Sequence, residues 1–259
     1  MRLSGTVYSN TLEMDTPISI VTPTNLTKDT PYHVAYVLHG LRGNASSWLD
    51  YSMLPVYAMG SHTIFILPDA GRSMYTDMKH GFRYFTYVTE ELPQICRSVF
   101  HISADRENTA VMGASMGGYG ALKCALTKPE QYGICGAFSS GCLFIKNDLA
   151  FIREHGFEEA TRIFGRQLAN DIPSVFGEDL EWKPEYELTE LAKAAKQKGI
   201  LPQIYMTCGT EDKFHPDHVQ FCKELDEIGI AYQFEDWQAK HDFLCFDEAL
   251  KRTVFKFKL

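Results

Sequence analysis

The chain has 259 residues, of which 45% are hydrophobic, 22% charged and 13% aromatic, with 25 Lys+Arg against 33 Asp+Glu and a formal net charge of −8. That is the composition of one large α/β domain, or of one domain carrying an insertion, and it excludes disordered and fibrous classes. The acidic balance opposes non-specific binding to nucleic acid and to anionic membranes, and no apolar run approaches the roughly 20 residues that span a bilayer.

The start, Met1-Arg2-Leu3-Ser4-Gly5-Thr6, has no long apolar stretch behind its charge and does not read as a signal peptide. Cys96, Cys124, Cys135, Cys142, Cys208, Cys222 and Cys245 are odd in number, irregularly spaced and free of any CxxC pair. They read as reduced, mostly buried thiols of a cytoplasmic protein. A chain trimmed of a leader would read the same.

Val7-Tyr8 and Ile18 to Val21 predict two antiparallel strands, and Thr22 to Pro31 a loop rich in Thr, Pro, Asn and Asp. Val34 to Leu38 is a short apolar run, read as a buried strand that ends in a sharp turn at His39-Gly40. Ser46 to Met59 predicts a helix despite Pro55, and Thr63 to Leu67 a second buried strand stopped by Pro68-Asp69. Phe85, Val88, Leu92, Ile95 and Val99 carry helical spacing. Thr109 to Met112 predicts the next strand, and a helix begins just after Ser115. Ile134 to Phe138 and Gln203 to Thr207 follow as strands, Val219 to Ile228 as a helix, Tyr232 to Glu235 as a strand and Phe243 to Lys251 as a closing helix. Short buried strands alternating with helices predict a mostly parallel sheet covered on both faces. Between Leu143 and Lys198 the alternation stops and only charged and aromatic helical pieces remain. That length exceeds a plain connection, so residues 143–198 read as a helical cap inserted in a single domain spanning 1–259.

Gly113-Ala114-Ser115-Met116-Gly117 is a G-x-S-x-G between a predicted strand and a helix that opens with Gly118-Tyr119-Gly120. Strand, tight turn and helix form the setting that a nucleophile elbow requires. A serine hydroxyl needs a base to take its proton. In open α/β sheets with this elbow the order is serine, then acid, then histidine, which leaves His155, His215, His218 and His241. His241 follows the last strand in Trp237-Gln238-Ala239-Lys240-His241-Asp242-Phe243, where a loop brings an imidazole over the elbow, so His241 is expected to be the base. The acid is expected after the strand Gln203 to Thr207. Asp212 is preferred there, with Glu211 as its nearest rival and Asp236 and Asp242 less well placed. A tetrahedral intermediate needs donors for its oxyanion. The expected ones are the Met116 N–H and the Leu41 N–H, the latter in the loop His39-Gly40-Leu41-Arg42-Gly43, with His39 holding that loop in shape.

His39-Gly40, Pro68-Asp69-Ala70-Gly71-Arg72-Ser73-Met74-Tyr75-Thr76-Asp77, Gly113 to Gly120 and Trp237…His241-Asp242 together resemble the esterase D/tributyrin esterase-like branch of the α/β-hydrolase superfamily, over about Thr6 to Arg252. The resemblance implies a sandwiched sheet of about eight strands with one cap, and the triad Ser115, Asp212 and His241. Ala70 and Phe243 depart from residues common in the family, Gly and Trp, and both are expected to alter the site wall.

The expected reaction is hydrolysis of a short-chain (acetyl to butyryl) ester through an acyl-serine, on a small-molecule substrate with a carbohydrate among the candidate alcohols, without cofactor or metal. Alternatives are S-formylglutathione hydrolysis, with Arg42 and Arg72 near the glutathione carboxylates, feruloyl ester hydrolysis, an acyltransferase, and a silent hydrolase-like binding protein. Gly40, Trp48, Tyr75 and Trp182 are the substrate-binding candidates, with Met74, Met116 and Phe144 also considered for the pocket and its rim. Homo-oligomerisation is left open.

Overall fold

Strand β5 (Thr109–Ala114) is buried along its whole length and runs through the interior of an eight-stranded sheet. The computed structural model describes residues 1–27 and 29–259. The other strands are β1 (Arg2–Ser9), β2 (Met14–Val21), β3 (His33–Leu38), β4 (Thr63–Pro68), β6 (Ile134–Phe138), β7 (Gln203–Gly209) and β8 (Tyr232–Trp237), in the spatial order β1-β2-β4-β3-β5-β6-β7-β8. β1 and β2 pair antiparallel, β2 meets β4 antiparallel, and every pair from β4–β3 onward is parallel.

Side chains alternate across a strand, and the sheet uses both faces. Val34, Tyr36 and Leu38 of β3 enter one core with Leu122, while Ala35 and Val37 enter the other with Trp48 and Leu250. The first core is roofed by α5 (Met116–Thr127), α8 (Leu188–Lys198) and α9 (His215–Ile228). The second is covered by α1 (Ser47–Tyr51), α2 (Leu54–Tyr57) and α10 (Phe243–Phe257). This is the α/β-hydrolase arrangement.

Two predicted helices are broken where proline acts. Ser46 to Met59 divides into α1, α2 and a 3₁₀ turn, because Ser52 is extended and Pro55 starts the second helix in its first turn, where a missing N–H is harmless. The segment around 83–100 forms α3 (Tyr84–Thr86), a π turn over Tyr87–Glu91 and α4 (Leu92–Val99), and Pro93 removes a donor at the junction.

Residues 143–198 contain α6 (Ile145–Phe164), α7 (Arg166–Phe176) and α8. Gly156 breaks α6 with a φ of 82°, and Gly165 (φ 85°) separates α6 from α7. Within 143–198, α8 buries Leu188, Ala192 and Ala195 in the core shared with α5, and so packs as part of the main helical layer.

Candidate active site

The loops that leave the carboxyl ends of β3, β5, β7 and β8 meet above the sheet. Ser115 sits between β5 and α5 with φ 58° and ψ −119°, a conformation that L-residues hold only under constraint. The constraint is close packing. A Cβ at Gly117 would lie 2.4 Å from the Leu38 carbonyl oxygen, so only glycine lets α5 start this near β3. The Ser115 N–H donates to the Phe138 carbonyl at 2.9 Å and pins the turn to β6.

Asp212 lies in the loop after β7, and His241 in the loop after β8. The Glu211 N–H donates to the Ala239 carbonyl and the Thr210 N–H to the Trp237 carbonyl, which ties the two loops together. Gly209 permits this approach, since a Cβ there would sit 2.2 Å from the Ala239 oxygen. His241 Nδ1 is 2.7 Å from Asp212 Oδ2, and His241 Nε2 is 3.0 Å from Ser115 Oγ. A carboxylate only accepts, so Nδ1 carries the proton and donates it to Asp212, and Nε2 is left to accept from the Ser115 hydroxyl. Phe214 and Phe246 stand edge-on to the imidazole at 5.1 and 5.0 Å.

The Asp212 side chain is fully buried. Burial alone would raise its carboxyl, but hydrogen bonds from His241 and from the Phe214 N–H outweigh it and hold the group below the usual carboxylate range. The rival carboxylates are engaged elsewhere. Glu211 accepts from Gln238, Asp236 pairs with His215, and Asp242 caps α10 by accepting the Leu244 and Cys245 N–H groups.

Among the described residues, neither the Leu41 nor the Met116 N–H has a hydrogen-bond acceptor, and both residues line the cleft over Ser115. His39 is buried beneath this loop. Its Nδ1 donates to the Gly40 carbonyl, and its Nε2 accepts from the Ala70 N–H. Burial pushes its pKa down, which suits a neutral ring bonded at both nitrogens.

The cleft has a volume of about 560 Å³. Gly40, Trp48, Met74 and Met116 line it, as do Arg42 and Phe243. The Trp48 indole N–H is spent on the Leu38 carbonyl, so this residue offers only its ring. Three sequence candidates lie outside the cleft lining. Tyr75 turns inward, its hydroxyl donating to the His39 carbonyl at 2.9 Å and its ring lying over Gly120. Trp182 packs beneath the Lys146 ammonium, and Phe144 packs edge-on against Phe221. Arg72 is also committed, its guanidinium clamped on Asp171 and on the Leu41 carbonyl, so it does not reach the cleft as a free cation. Residues missed in the sequence are Tyr51, Phe164, Leu168, Lys213, Phe214 and Phe246. Phe214 and Phe246 flank Asp212 and His241 closely in the chain, and that proximity was the available signal.

All seven cysteines are free thiols, and Cys142, which lines the cleft, is the half-buried one. No helix among the described residues is long and apolar enough to cross a membrane. No group of three or more His, Cys, Asp or Glu side chains among them is arranged to hold a metal ion.

The family described as "Putative esterase" matches residues 9–252. The chain belongs to this esterase family. It is 29% identical over 245 residues to an acetyl esterase of Caldicellulosiruptor saccharolyticus, a match covering 91% of this chain and 90% of the relative. A local match of 64 residues, 44% identical, links it to the S-formylglutathione hydrolase of Mus musculus, covering 25% of this chain and 22% of that one. Among solved structures, the Staphylococcus aureus serine hydrolase FphF superposes with a TM-score of 0.86 at 24% identity, over 100% of this chain and 98% of that one. The S-formylglutathione hydrolase FrmB of the same organism gives 0.83 at 24%, over 100% and 99%. At that identity the likeness shows the α/β-hydrolase fold. The esterase is a carboxylic ester hydrolase by family.

Beside the cleft, Asp148 of the esterase is pushed up to about 7, first by burial and then by the Asp217 and Glu187 carboxylates. In an unfolded chain its carboxyl ionises near 3.9. The folded state therefore keeps a proton that the unfolded state has lost, and stability falls as pH rises from about 4 to about 7. Asp148→Asn is expected to raise Tm by a few degrees at pH 8 and to leave it unchanged at pH 4. Thermal unfolding at both values checks this, and a pH-independent difference would contradict it.

Proposed function

We propose that the esterase hydrolyses short-chain acyl esters, acetyl to butyryl, through an acyl-enzyme formed on Ser115. The observation that carries this reading is the chain of hydrogen bonds Ser115 Oγ–His241 Nε2 and His241 Nδ1–Asp212 at the base of an open cleft. His241 takes the Ser115 proton as Oγ attacks the ester carbonyl carbon. The carbonyl oxygen becomes an anion facing the Leu41 and Met116 N–H groups. The C–O bond then breaks, and the alcohol leaves with the proton from His241. Water repeats the sequence on the acyl-serine, releasing the acid and restoring the serine. Asp212 keeps the imidazole in the right tautomer and stabilises its charged form. In this reading α6 and α7 act as the cap, with Phe164 and Leu168 turned to the cleft. The acetyl esterase relative supports the acyl class.

A second reading, S-formylglutathione hydrolysis, is favoured by Arg42 and Lys213. Both line the cleft, both are exposed, and among the described residues neither is paired with a carboxylate. Hydrolysis of p-nitrophenyl acetate, butyrate, hexanoate, octanoate and ferulate, beside S-formylglutathione, separates the readings. A maximum at acetate or butyrate is expected. A kcat/KM for S-formylglutathione far above every oxygen ester would select the second reading, and a maximum at ferulate would overturn both.

A further inference from the structure

Three hydrogen bonds join the loop after β4 to the loop after β3. The Ala70 N–H donates to His39 Nε2, the Tyr75 hydroxyl to the His39 carbonyl, and Arg72 Nη1 to the Leu41 carbonyl at 3.1 Å. Of these three donors, the Arg72 side chain alone continues to another element. Its Nε and Nη2 lie 2.7 and 2.6 Å from Oδ2 of Asp171, in the second turn of α7. A guanidinium holds its donors in a rigid plane, so one edge can grip a carboxylate while the remaining nitrogen serves a carbonyl. The other Asp171 oxygen accepts from Gln167, one turn earlier on α7, and this keeps the carboxylate turned to Arg72. Only 12% of the Asp171 side chain is exposed, so water screens the pair incompletely.

The carbonyl that Arg72 grips belongs to the turn that carries Leu41. The Gly43 N–H donates to the Gly40 carbonyl and closes a turn over residues 40–43. Two peptide planes meet at the Leu41 Cα. The first contains the Leu41 N–H, and its carbonyl, that of Gly40, also accepts from His39 Nδ1. The second contains the Leu41 carbonyl, and among the described residues Arg72 is its one donor. With both planes held, the torsions at Leu41 are fixed on either side. Without Arg72, only the first plane is held. At the far end of the guanidinium, α7 runs between Gly165 and Gly177, which hold φ values of 85° and 98°. Its carboxyl end is fastened by the Lys79 and His80 N–H groups, which donate to the Val175 and Ser174 carbonyls. Leu168, in its first turn, lines the cleft, and the Arg72–Asp171 pair ties down the body of the helix between them.

We propose that Arg72 is a positioning residue for ester hydrolysis: it joins α7 to the turn of residues 40–43 and so holds the Leu41 N–H where the oxyanion forms, while Asp171 holds Arg72. The proposal rests on the reading of Ser115 as the nucleophile and of the Leu41 N–H as an oxyanion donor. A donor that is loosened still reaches the oxyanion part of the time. Its loss of rate is therefore smaller than the roughly 10²–10³ in kcat that follows outright removal of a donor, and about tenfold is expected. The effect falls on the transition state, where the negative charge exists, and not on the bound ester.

The test is steady-state hydrolysis of p-nitrophenyl butyrate, beside inhibition by a trifluoromethyl ketone, on the parent, Arg72→Met, Asp171→Asn, the double variant and Ser115→Ala. The ketone takes Ser115 Oγ onto its carbonyl carbon, the hydroxyl proton passes to His241, and the carbonyl oxygen becomes an oxyanion like that of the ester. Arg72→Met is expected to lower kcat about tenfold with KM little altered, and to weaken the ketone by a similar factor. Asp171→Asn is expected to lose rate in the same sense, and the double variant to be no slower than Arg72→Met, because Asp171 acts through Arg72. Arg72→Met leaves the Asp171 carboxylate without its partner, so if it fails to fold, the near-isosteric Asp171→Asn decides by the same split of kcat from KM. A folded Arg72→Met that loses Tm but keeps kcat and ketone affinity overturns the proposal, since the pair then only secures α7. A raised KM at unchanged kcat overturns it too, since Arg72 then touches the bound ester. Activity that persists in Ser115→Ala, or a parent indifferent to the ketone, overturns the reading beneath it instead.

Discussion

Ser115→Ala is expected to lower kcat for ester hydrolysis by about a millionfold, the loss typical when the nucleophile of a serine hydrolase is removed. The size follows from the site. Alanine leaves His241, the Leu41 and Met116 N–H groups and the cleft in place, so the cleft and the proposed oxyanion donors survive. What disappears is the bond-forming oxygen 3.0 Å from His241 Nε2. Stability should hardly change, because the strain at this position belongs to the backbone, and alanine occupies the same φ and ψ without adding atoms. Steady-state hydrolysis by the folded variant, checked by circular dichroism, measures it. Loss of only a few fold would assign the chemistry to another group.

Asp212→Asn is the second large effect, expected to cost about 10⁴ in kcat with KM little altered. An amide that donates toward Nδ1 favours the tautomer in which Nε2 carries the proton, and Nε2 then cannot accept from Ser115. Asp242→Asn is the matched control. Asp242 caps α10 through Leu244 and Cys245, and asparagine caps helices about as well as aspartate, so both rate and stability should stay close to the parent. Asp236→Asn breaks only a partly exposed pair with His215 and should likewise be mild. If the control loses more rate than Asp212→Asn, the acid has been misplaced.

The parts of this fold that could be read in the sequence were those governed by local rules. Short apolar runs such as Val34 to Leu38 and Thr63 to Leu67 are strands because both their faces are buried. The G-x-S-x-G was legible because its glycines answer to steric contacts of 2.4–2.7 Å with neighbouring backbone. The meeting of Ser115, Asp212 and His241 was legible through their order along strand ends. What could not be read depends on which way a side chain points after a strained turn. Met74 and Tyr75 are neighbours with nearly the same φ, yet one faces the cleft and the other props up the His39 carbonyl. Trp182 carries the composition of a pocket residue, and only its packing against Lys146 puts it elsewhere. Arg72 could not be placed from the sequence, because its partner, Asp171, lies 99 positions away. The helical stretch 143–198 meets the same limit: only the tertiary contacts of Leu188, Ala192 and Ala195 place α8 in the sandwich.

The central claim is that the acyl group passes through Ser115. The most direct measurement is a rapid acid quench of the enzyme with p-nitrophenyl butyrate, followed by intact mass and peptide mapping. The account predicts a species one butyryl group heavier, with the group on Ser115, formed in a burst and lost in step with turnover. Turnover without any such species, or a butyryl group on another residue, would contradict it.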